Sequence, residues 1–152
     1  MTIAVLAVQG AFIEHEKKLE KLGADCIELR NLSQQYDGLV LPGGESTVQG
    51  KLLKELGMFD TIKSQIESGM PVLATCAGMI LLAEELEGGE AGHLQTMPVT
   101  VKRNAYGRQL GSFHTEARLE GIGEIPMTFI RAPYVAEVGA GVQILAKAEE
   151  KI

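Results

Sequence analysis

The chain has 152 residues, 45% of them hydrophobic and 22% charged, which predicts one folded domain with a sizeable core. Its formal charge is −6, from 14 basic and 20 acidic residues, and this acidic balance argues against nucleic-acid binding. No apolar run is long enough to cross a membrane, and no basic segment precedes the first one, so we expect a cytoplasmic protein without a membrane partner. Cys26 and Cys76 lack a zinc-binding spacing, so we expect free thiols and neither a metal nor a cofactor.

The first half of the chain alternates apolar runs of strand length with segments of helical spacing. Strands are predicted at 2–8, 26–29, 38–41 and 72–75, and helices at 12–22, 46–56, 59–68 and 77–86. Strands that alternate with helices indicate parallel pairing, and continuously apolar strands indicate a sheet covered on both faces. We therefore predict an α/β fold with three layers, α/β/α, around a mostly parallel, flavodoxin-like central sheet.

The pattern changes in the C-terminal half, where short apolar or alternating runs replace helical spacing. Additional strands, some of them antiparallel, are predicted within 97–103, 109–119, 125–133 and 141–149. Residues 86–93, rich in glycine and glutamate, are predicted to form a surface loop. Because there is no repeat and no linker, residues 1–152 are predicted to form a single domain.

Cys76 lies where a short strand is expected to turn into a helix, a junction that we call the cysteine elbow (residues 74–78). Such a turn projects a nucleophile above the sheet edge and needs small neighbours, which Ala74, Ala77 and Gly78 provide. The helix N-terminus stabilises a thiolate, so we expect a lowered pKa for Cys76 and an Ala77 N–H that faces a substrate oxyanion. The alternative is a small buried hydrophobic residue, but the strand-turn-helix context favours the nucleophile.

A second turn, which we call the diglycine turn (residues 42–46), ends the strand at 38–41. Its glycines allow the backbone to approach a ligand, and Gly44 offers a second N–H for an oxyanion. Glu45 offers a carboxylate for a substrate ammonium group. The alternative is an ordinary turn in which Ser46 caps the next helix. Because ligands bind at the carboxyl edge of a parallel sheet, we expect the two turns to converge there.

Four segments, "PGGEST", "TCAGMILLA", "VKRNAYGRQLGSF" and "MTFIRAP", follow in this order an opening "AVLAVQGAFIEH". Together they resemble the SNO family, the glutaminase subunits of pyridoxal 5'-phosphate synthase among the class I glutamine amidotransferases. The resemblance covers essentially the whole chain. It implies hydrolysis of L-glutamine to glutamate and ammonia through a cysteinyl thioester. It also implies a partner, the lyase subunit of the synthase, which uses the ammonia to build the vitamin B6 cofactor.

The resemblance also assigns roles to individual residues. Cys76 matches the nucleophile. The residues that match glutamine-binding positions are Gly44, Glu45, Ser46, Arg103, Ile130 and Arg131. The planar fork of an arginine suits the α-carboxylate of an amino acid. Without the resemblance, Arg103 and Arg131 would be interpreted as surface residues.

A cysteine nucleophile needs a general base, usually a histidine that a carboxylate orients. "SFHTE" at 112–116 is similar to the S-F-H-P-E motif of the family, but it follows directly on "GRQLG", where the family has a different strand. The resemblance places the catalytic histidine and glutamate after the segment "VQILAKAEEKI". We therefore expect the domain to lack this C-terminal catalytic segment, and His114 and Glu116 not to form the dyad. His15 is expected to be half-exposed on the first helix, after a turn at Gln9.

Two other functions stay open. A truncated subunit without a base would dock on the synthase without turning glutamine over. A PfpI-like peptidase or stress protein also has a cysteine elbow, but it has no need for "PGGES" and "RNAYGRQ" together.

Overall fold

The computed structural model describes residues 1–103, 112–130, 132–148 and 151–152. Contacts between Cα atoms group the chain into two units, Met1–Leu82 and Ala83–Ile152, and each unit is described by itself. That the whole chain forms one domain stays a prediction.

The first unit contains the predicted alternation of strands and helices. Its elements are β1 (Thr2–Leu6), α1 (Phe12–Lys21), β2 (Asp25–Leu29), β3 (Gly38–Leu41), α2 (Ser46–Glu55), α3 (Phe59–Glu67), β4 (Val72–Ala74) and α4 (Ala77–Leu82). Each element is found where the sequence predicts it, but α4 ends four residues before the predicted end at Leu86.

The strands of the first unit form one parallel sheet in the order β2-β1-β3-β4. Its core is apolar, with Ala4, Val5 and Leu41 fully buried. Helix α1 packs on β1 and β2, whereas α4 packs on β3, β4 and α2. Right-handed crossovers that run in opposite directions from the sheet centre place α1 on one face and α2 and α3 on the other, and α4 packs against α2. The flavodoxin-like sheet between two helical layers is therefore confirmed, and its topological switch point lies between β1 and β3.

Within the residues that the structure describes, the second unit contains strands and no helix. Its elements are β5 (Ala83–Leu86), β6 (Glu90–Ala91), β7 (Met97–Lys102), β8 (Ser112–Leu119), β9 (Gly123–Ile130) and β10 (Tyr134–Val138). A mixed sheet has the order β10-β7-β5-β6, and β8 and β9 form an antiparallel hairpin. The additional strands that were predicted for the C-terminal half, some of them antiparallel, are confirmed.

Three predictions about this half were wrong. The helix predicted through Leu86 gives way to β5, because the backbone of 83–86 pairs with β7 on one side and with β6 on the other. Residues 86–93 are not only a loop, since Glu90–Ala91 forms β6. Residues 141–147 form no strand, and the antiparallel partner of β7 is β10 instead.

Candidate active site

The cysteine elbow has the strained backbone that a nucleophile turn requires. Cys76 has φ = 49° and is exposed, and it lies between β4 and α4, directly before the helix. A positive φ is costly for a residue with a Cβ and persists only where the surroundings impose it. A Cβ on Gly78 would overlap the carbonyl oxygen of Leu41, so glycine is needed there for α4 to pack closely against β3. The interpretation of Cys76 as a buried hydrophobic residue is therefore wrong.

The diglycine turn lies against the cysteine elbow. A Cβ built on Gly43 would lie 3.6 Å from the Cβ of Cys76, which is van der Waals contact. The expected convergence of the two turns at the carboxyl edge of the sheet is therefore confirmed.

The turn that follows β1 fixes the orientation of the diglycine turn. The Ala11 N–H donates to the carbonyl oxygen of Gly43 at 2.9 Å, and the Glu45 N–H donates to Oε1 of Gln9 at 3.0 Å. Because the N–H and C=O of a trans peptide point in opposite directions, the Gly44 N–H faces away from Ala11.

Gln49 is a site residue that the sequence analysis missed. It is fully buried on α2, and its Nε2 donates to the carbonyl oxygens of Gln9 at 3.0 Å and Pro42 at 3.3 Å. One side chain thus joins the turns that follow β1 and β3. The available signal was an amide side chain in the helix that follows the diglycine turn, but its spacing alone does not show which carbonyls it meets.

The helix after the diglycine turn is capped by Glu45. Its carboxylate accepts from the Thr47 N–H at 3.2 Å, while Ser46 is the first residue of α2 and is buried. The alternative in which Ser46 caps the helix is therefore wrong. A carboxylate is suited to this position because it complements the positive end of the helix dipole.

The pKa of the Cys76 thiol is raised and not lowered. Burial of the thiol is the main cause, the Ala77 N–H acts in the opposite direction by donating to the sulfur, and the nearby Glu45 carboxylate raises the pKa further. The sequence-based expectation of a lowered pKa is wrong because one N–H at the start of a short helix does not offset burial and a like-charged neighbour.

Two histidines pair with threonines. In the first unit, His15 Nε2 lies 3.0 Å from Oγ1 of Thr75, and burial lowers the pKa of His15 against the smaller opposing effect of Glu14. In the second unit, Nδ1 of the exposed His114 lies 2.8 Å from Oγ1 of Thr128 across the β8–β9 hairpin.

The remaining residues of the predicted site belong to the second unit. Arg103 follows β7 and is half-buried, and among the described residues its buried Nε has no hydrogen-bond partner. Ile130 ends β9 and is 64% exposed. Arg131 lies outside the described residues. Within the part of the chain that the structure describes, no three His, Cys, Asp or Glu side chains are grouped to bind a metal, and no helix is long and apolar enough to span a membrane.

A parallel α/β sheet that presents a strained, exposed cysteine beside a diglycine turn defines the class of cysteine-elbow α/β proteins to which amidotransferases belong. The chain belongs to the SNO glutamine amidotransferase family, which it matches over residues 5–152.

Relatives and solved structures agree with this membership. The chain is 62% identical to pyridoxal 5'-phosphate synthase subunit PdxT of Desulfitobacterium hafniense (strain Y51), covering all of this chain and 78% of that protein. It is 57% identical to the PdxT subunit of Haemophilus influenzae (strain PittEE), covering 100% of this chain and 82% of that one. The crystal structure of a glutamine amidotransferase superimposes with a TM-score of 0.91 at 40% identity, over 98% of this chain and 81% of that one. PurLQS from Thermotoga maritima shares the fold, with a TM-score of 0.68 at 14% identity, over 96% and 73% of the two chains.

Proposed function

We propose that this chain is a glutaminase subunit of pyridoxal 5'-phosphate synthase, which hydrolyses L-glutamine to glutamate and ammonia. The observation that carries the proposal is the exposed, strained Cys76 beside Gly43, in a chain 62% identical to a PdxT subunit. Family membership supplies the substrate class, and the geometry supplies the reacting atom.

Cys76 Sγ, as the thiolate, attacks the side-chain amide carbon of glutamine, and the carbonyl electron pair moves to the oxygen. The N–H groups of Ala77 and Gly44 are the donors for this oxyanion. When the tetrahedral intermediate collapses, the C–N bond breaks, and the nitrogen leaves as ammonia with the proton that the thiol lost on ionisation. Water then attacks the thioester, which releases glutamate and returns the thiol.

The charged ends of glutamine need opposite charges around the elbow. The carboxylate of Glu45, with Ser46 beside it at the start of α2, is suited to the ammonium group. Arg103 and Arg131 are suited to the α-carboxylate because a guanidinium group binds both of its oxygens, and Ile130 lies next to Arg131 in sequence. The proposal includes neither a metal nor a cofactor, because the thiolate supplies the nucleophile and the two N–H groups stabilise the oxyanion.

His114 and Glu116 are not the catalytic dyad in this proposal. Both side chains are exposed on β8, where the imidazole pairs with Thr128 of the neighbouring strand. That hydrogen bond occupies Nδ1, the nitrogen through which a carboxylate orients the histidine in a triad of the Ser-His-Asp type.

The partner is the lyase subunit of the synthase, which receives the ammonia. The net charge of −6 favours a basic surface on this partner. The free thiols of Cys26 and Cys76 are suited to a reducing compartment, so we place the complex in the cytoplasm.

The raised pKa of Cys76 favours a second candidate function, a subunit that docks on the synthase without turnover. A thiol that stays protonated near neutral pH is a poor nucleophile unless a base removes its proton.

The two functions are separated by measuring ammonia and glutamate release with and without the synthase subunit, in wild type, Cys76→Ser and Cys26→Ser. A glutaminase releases both products in equal amounts, Cys76→Ser releases none, and Cys26→Ser behaves as wild type. A docking subunit elutes with the synthase but releases no ammonia. Absence of both the complex and the products, or equal release from Cys76→Ser, would contradict the proposal.

A further inference from the structure

A hydrogen bond crosses the carboxyl edge of the sheet from α1 to the cysteine elbow. His15 on α1 and Thr75 at the end of β4 are 60 positions apart, and 3.0 Å separates Nε2 from Oγ1. Helix α1 packs on β1 and β2, and β3 lies between β1 and β4 in the sheet. The hydrogen bond therefore connects α1 to the end of β4, although α1 packs on β1 and β2.

Thr75 is the residue whose placement decides that of Cys76. Its N–H donates to the carbonyl oxygen of Leu41 on β3 at 3.1 Å, and its carbonyl oxygen accepts from the Gly78 N–H at 2.9 Å. The backbone of Thr75, directly before Cys76, is thus held by two hydrogen bonds. His15 holds the side chain of Thr75 by a third. A strained φ such as the 49° of Cys76 needs this kind of surrounding constraint.

The imidazole pairs with a neutral hydroxyl group and not with the thiol. Half-burial disfavours its charged form, with only Glu14 acting in the opposite direction. A neutral ring carries one donor nitrogen and one acceptor nitrogen, so Nε2 pairs with the threonine hydroxyl without placing a positive charge beside the elbow.

We propose that His15 is a positioning residue of the glutaminase site, which holds Thr75 so that Cys76 Sγ faces the diglycine turn in the geometry for attack. This inference rests on the proposed function. It separates two properties of the thiol: its intrinsic reactivity, which depends on exposure and pKa, and its alignment with a bound amide, which depends on the elbow.

The test compares two alkylating reagents on the full chain. With the diazo-ketone analogue of glutamine, the inactivation rate at saturation measures how well Cys76 Sγ is aligned with a bound substrate. With iodoacetamide, the alkylation rate measures the intrinsic reactivity of the thiol. In His15→Ala and in Thr75→Val we expect the saturating rate with the analogue to fall about tenfold, the loss of one well-placed hydrogen bond, while its half-saturation concentration changes less than about twofold. The iodoacetamide rate at Cys76 stays within about twofold of wild type, since these variants leave Glu45 and the Ala77 N–H in place.

Conservative variants and the double variant distinguish positioning from a general loss of structure. His15→Gln and Thr75→Ser keep a group able to form the bond, and we expect each to recover most of the rate. In the double variant His15→Ala with Thr75→Val, we expect the saturating rate to fall no further than in either single variant, because both changes remove the same hydrogen bond. Lys17→Ala, an exposed change on the same helix, is the matched control.

The iodoacetamide labelling rate of Cys26, measured on the same variants, shows whether α1 keeps its position. Its Sγ lies 3.9 Å from the carbonyl oxygen of Glu16, next to His15, so displacement of α1 accelerates iodoacetamide labelling of Cys26. Unchanged saturating rates in all variants would overturn the inference. A fall in the saturating rate that is accompanied by faster Cys26 labelling would also overturn it, because this result indicates that His15 has only a structural role. A wild-type chain that the analogue does not modify at saturation would overturn the proposed function itself, and this inference with it.

Discussion

At the scale of single residues, the site combines an accessible sulfur with an electrostatic environment that keeps it protonated. Cys76 as a whole residue is exposed at a positive φ, yet partial burial of its sulfur and the nearby Glu45 carboxylate raise the pKa of the thiol. Glu45 is proposed to bind the ammonium group of the substrate, and a bound ammonium group neutralises the charge that opposes ionisation. We therefore expect substrate binding and thiol activation to be coupled through one carboxylate.

Replacing Glu45 by glutamine tests this coupling. The amide still has an oxygen to accept from the Thr47 N–H, but the negative charge near Cys76 is lost. We expect the pKa of the thiol to fall, and iodoacetamide to label Cys76 about two- to fivefold faster at pH 7.5, since exposed charges shift a pKa by fractions of a unit. Asp60→Asn, at an exposed acidic residue of α3, is the control. An unchanged pH profile of labelling in Glu45→Gln would show that the carboxylate does not act on the thiol.

His15 gives a second prediction at this scale. Its pKa is lowered in the folded chain, so the unfolded chain binds the proton more tightly. The stability that depends on the neutral ring is complete above the unfolded pKa of about 6.5 and is lost as the pH falls through the folded pKa. In urea unfolding between pH 7.5 and 5, we expect wild type to lose more stability than His15→Gln, which does not titrate. A steeper loss in His15→Gln would contradict this sign.

At the scale of elements, the elbow depends on how closely α4 approaches β3. A Cβ on Gly78 would overlap the carbonyl oxygen of Leu41, and the backbone there is fixed by the sheet. We expect Gly78→Ala to lower the free energy of unfolding by about 2 kcal/mol or more, as overpacking of a rigid site does. Gly57→Ala is the matched control: its Cβ meets open space, so its cost comes only from a φ of 67°. Urea denaturation measures the free energy of unfolding of both variants. An equal loss of stability in the two would show that α4 moves away from β3 without cost.

The secondary structure of the first unit could be predicted because the sequence signals for its helices and strands are local. Continuous apolar strands such as β3 and amphipathic helices such as α1 indicate their own conformation and order. Ala83–Leu86 carries one apolar residue at each end and two glutamates between them, a short pattern that fits a helix end as well as a strand. Its conformation is decided by pairing with β7, which lies more than ten residues further along the chain. The position of β10 depends in the same way on a distant partner.

The site was predictable where residue type decides and unpredictable where geometry decides. The cysteine elbow and the diglycine turn follow from motifs, because only small residues permit such turns. The roles of Gln9 and Gln49 follow from carbonyl and amide groups that meet in space, and no spacing along the chain indicates that. The pKa of Cys76 was mispredicted for the same reason, since the sequence contains no measure of burial.

At the scale of the whole molecule, the residue proposed to react and the residues proposed to bind the substrate carboxylate belong to different units. Cys76, the diglycine turn and Gln49 lie within Met1–Leu82, whereas Arg103 and Ile130 lie within Ala83–Ile152. The chain is covered completely by the alignment with relatives such as the PdxT subunit of Desulfitobacterium hafniense (strain Y51), so both parts belong to the same family pattern. We therefore expect the first unit to set reactivity and the second to contribute specificity for an α-amino acid.

Arginine substitution tests this division of roles. In Arg103→Ala we expect the half-saturation concentration of the diazo-ketone analogue to rise about tenfold or more, because one arginine–carboxylate contact is lost. The saturating rate stays near that of wild type. Arg118→Ala, an exposed arginine on β8, is the control. A fall in the saturating rate with unchanged half-saturation would show that Arg103 acts on the reacting atoms instead.

The most direct measurement is the site of covalent labelling by the diazo-ketone analogue, determined by peptide mass spectrometry with and without L-glutamine. The account predicts one adduct, on the sulfur at position 76, which L-glutamine prevents and D-glutamine does not. Labelling that falls on Cys26, or that proceeds equally fast in saturating L-glutamine, would contradict it.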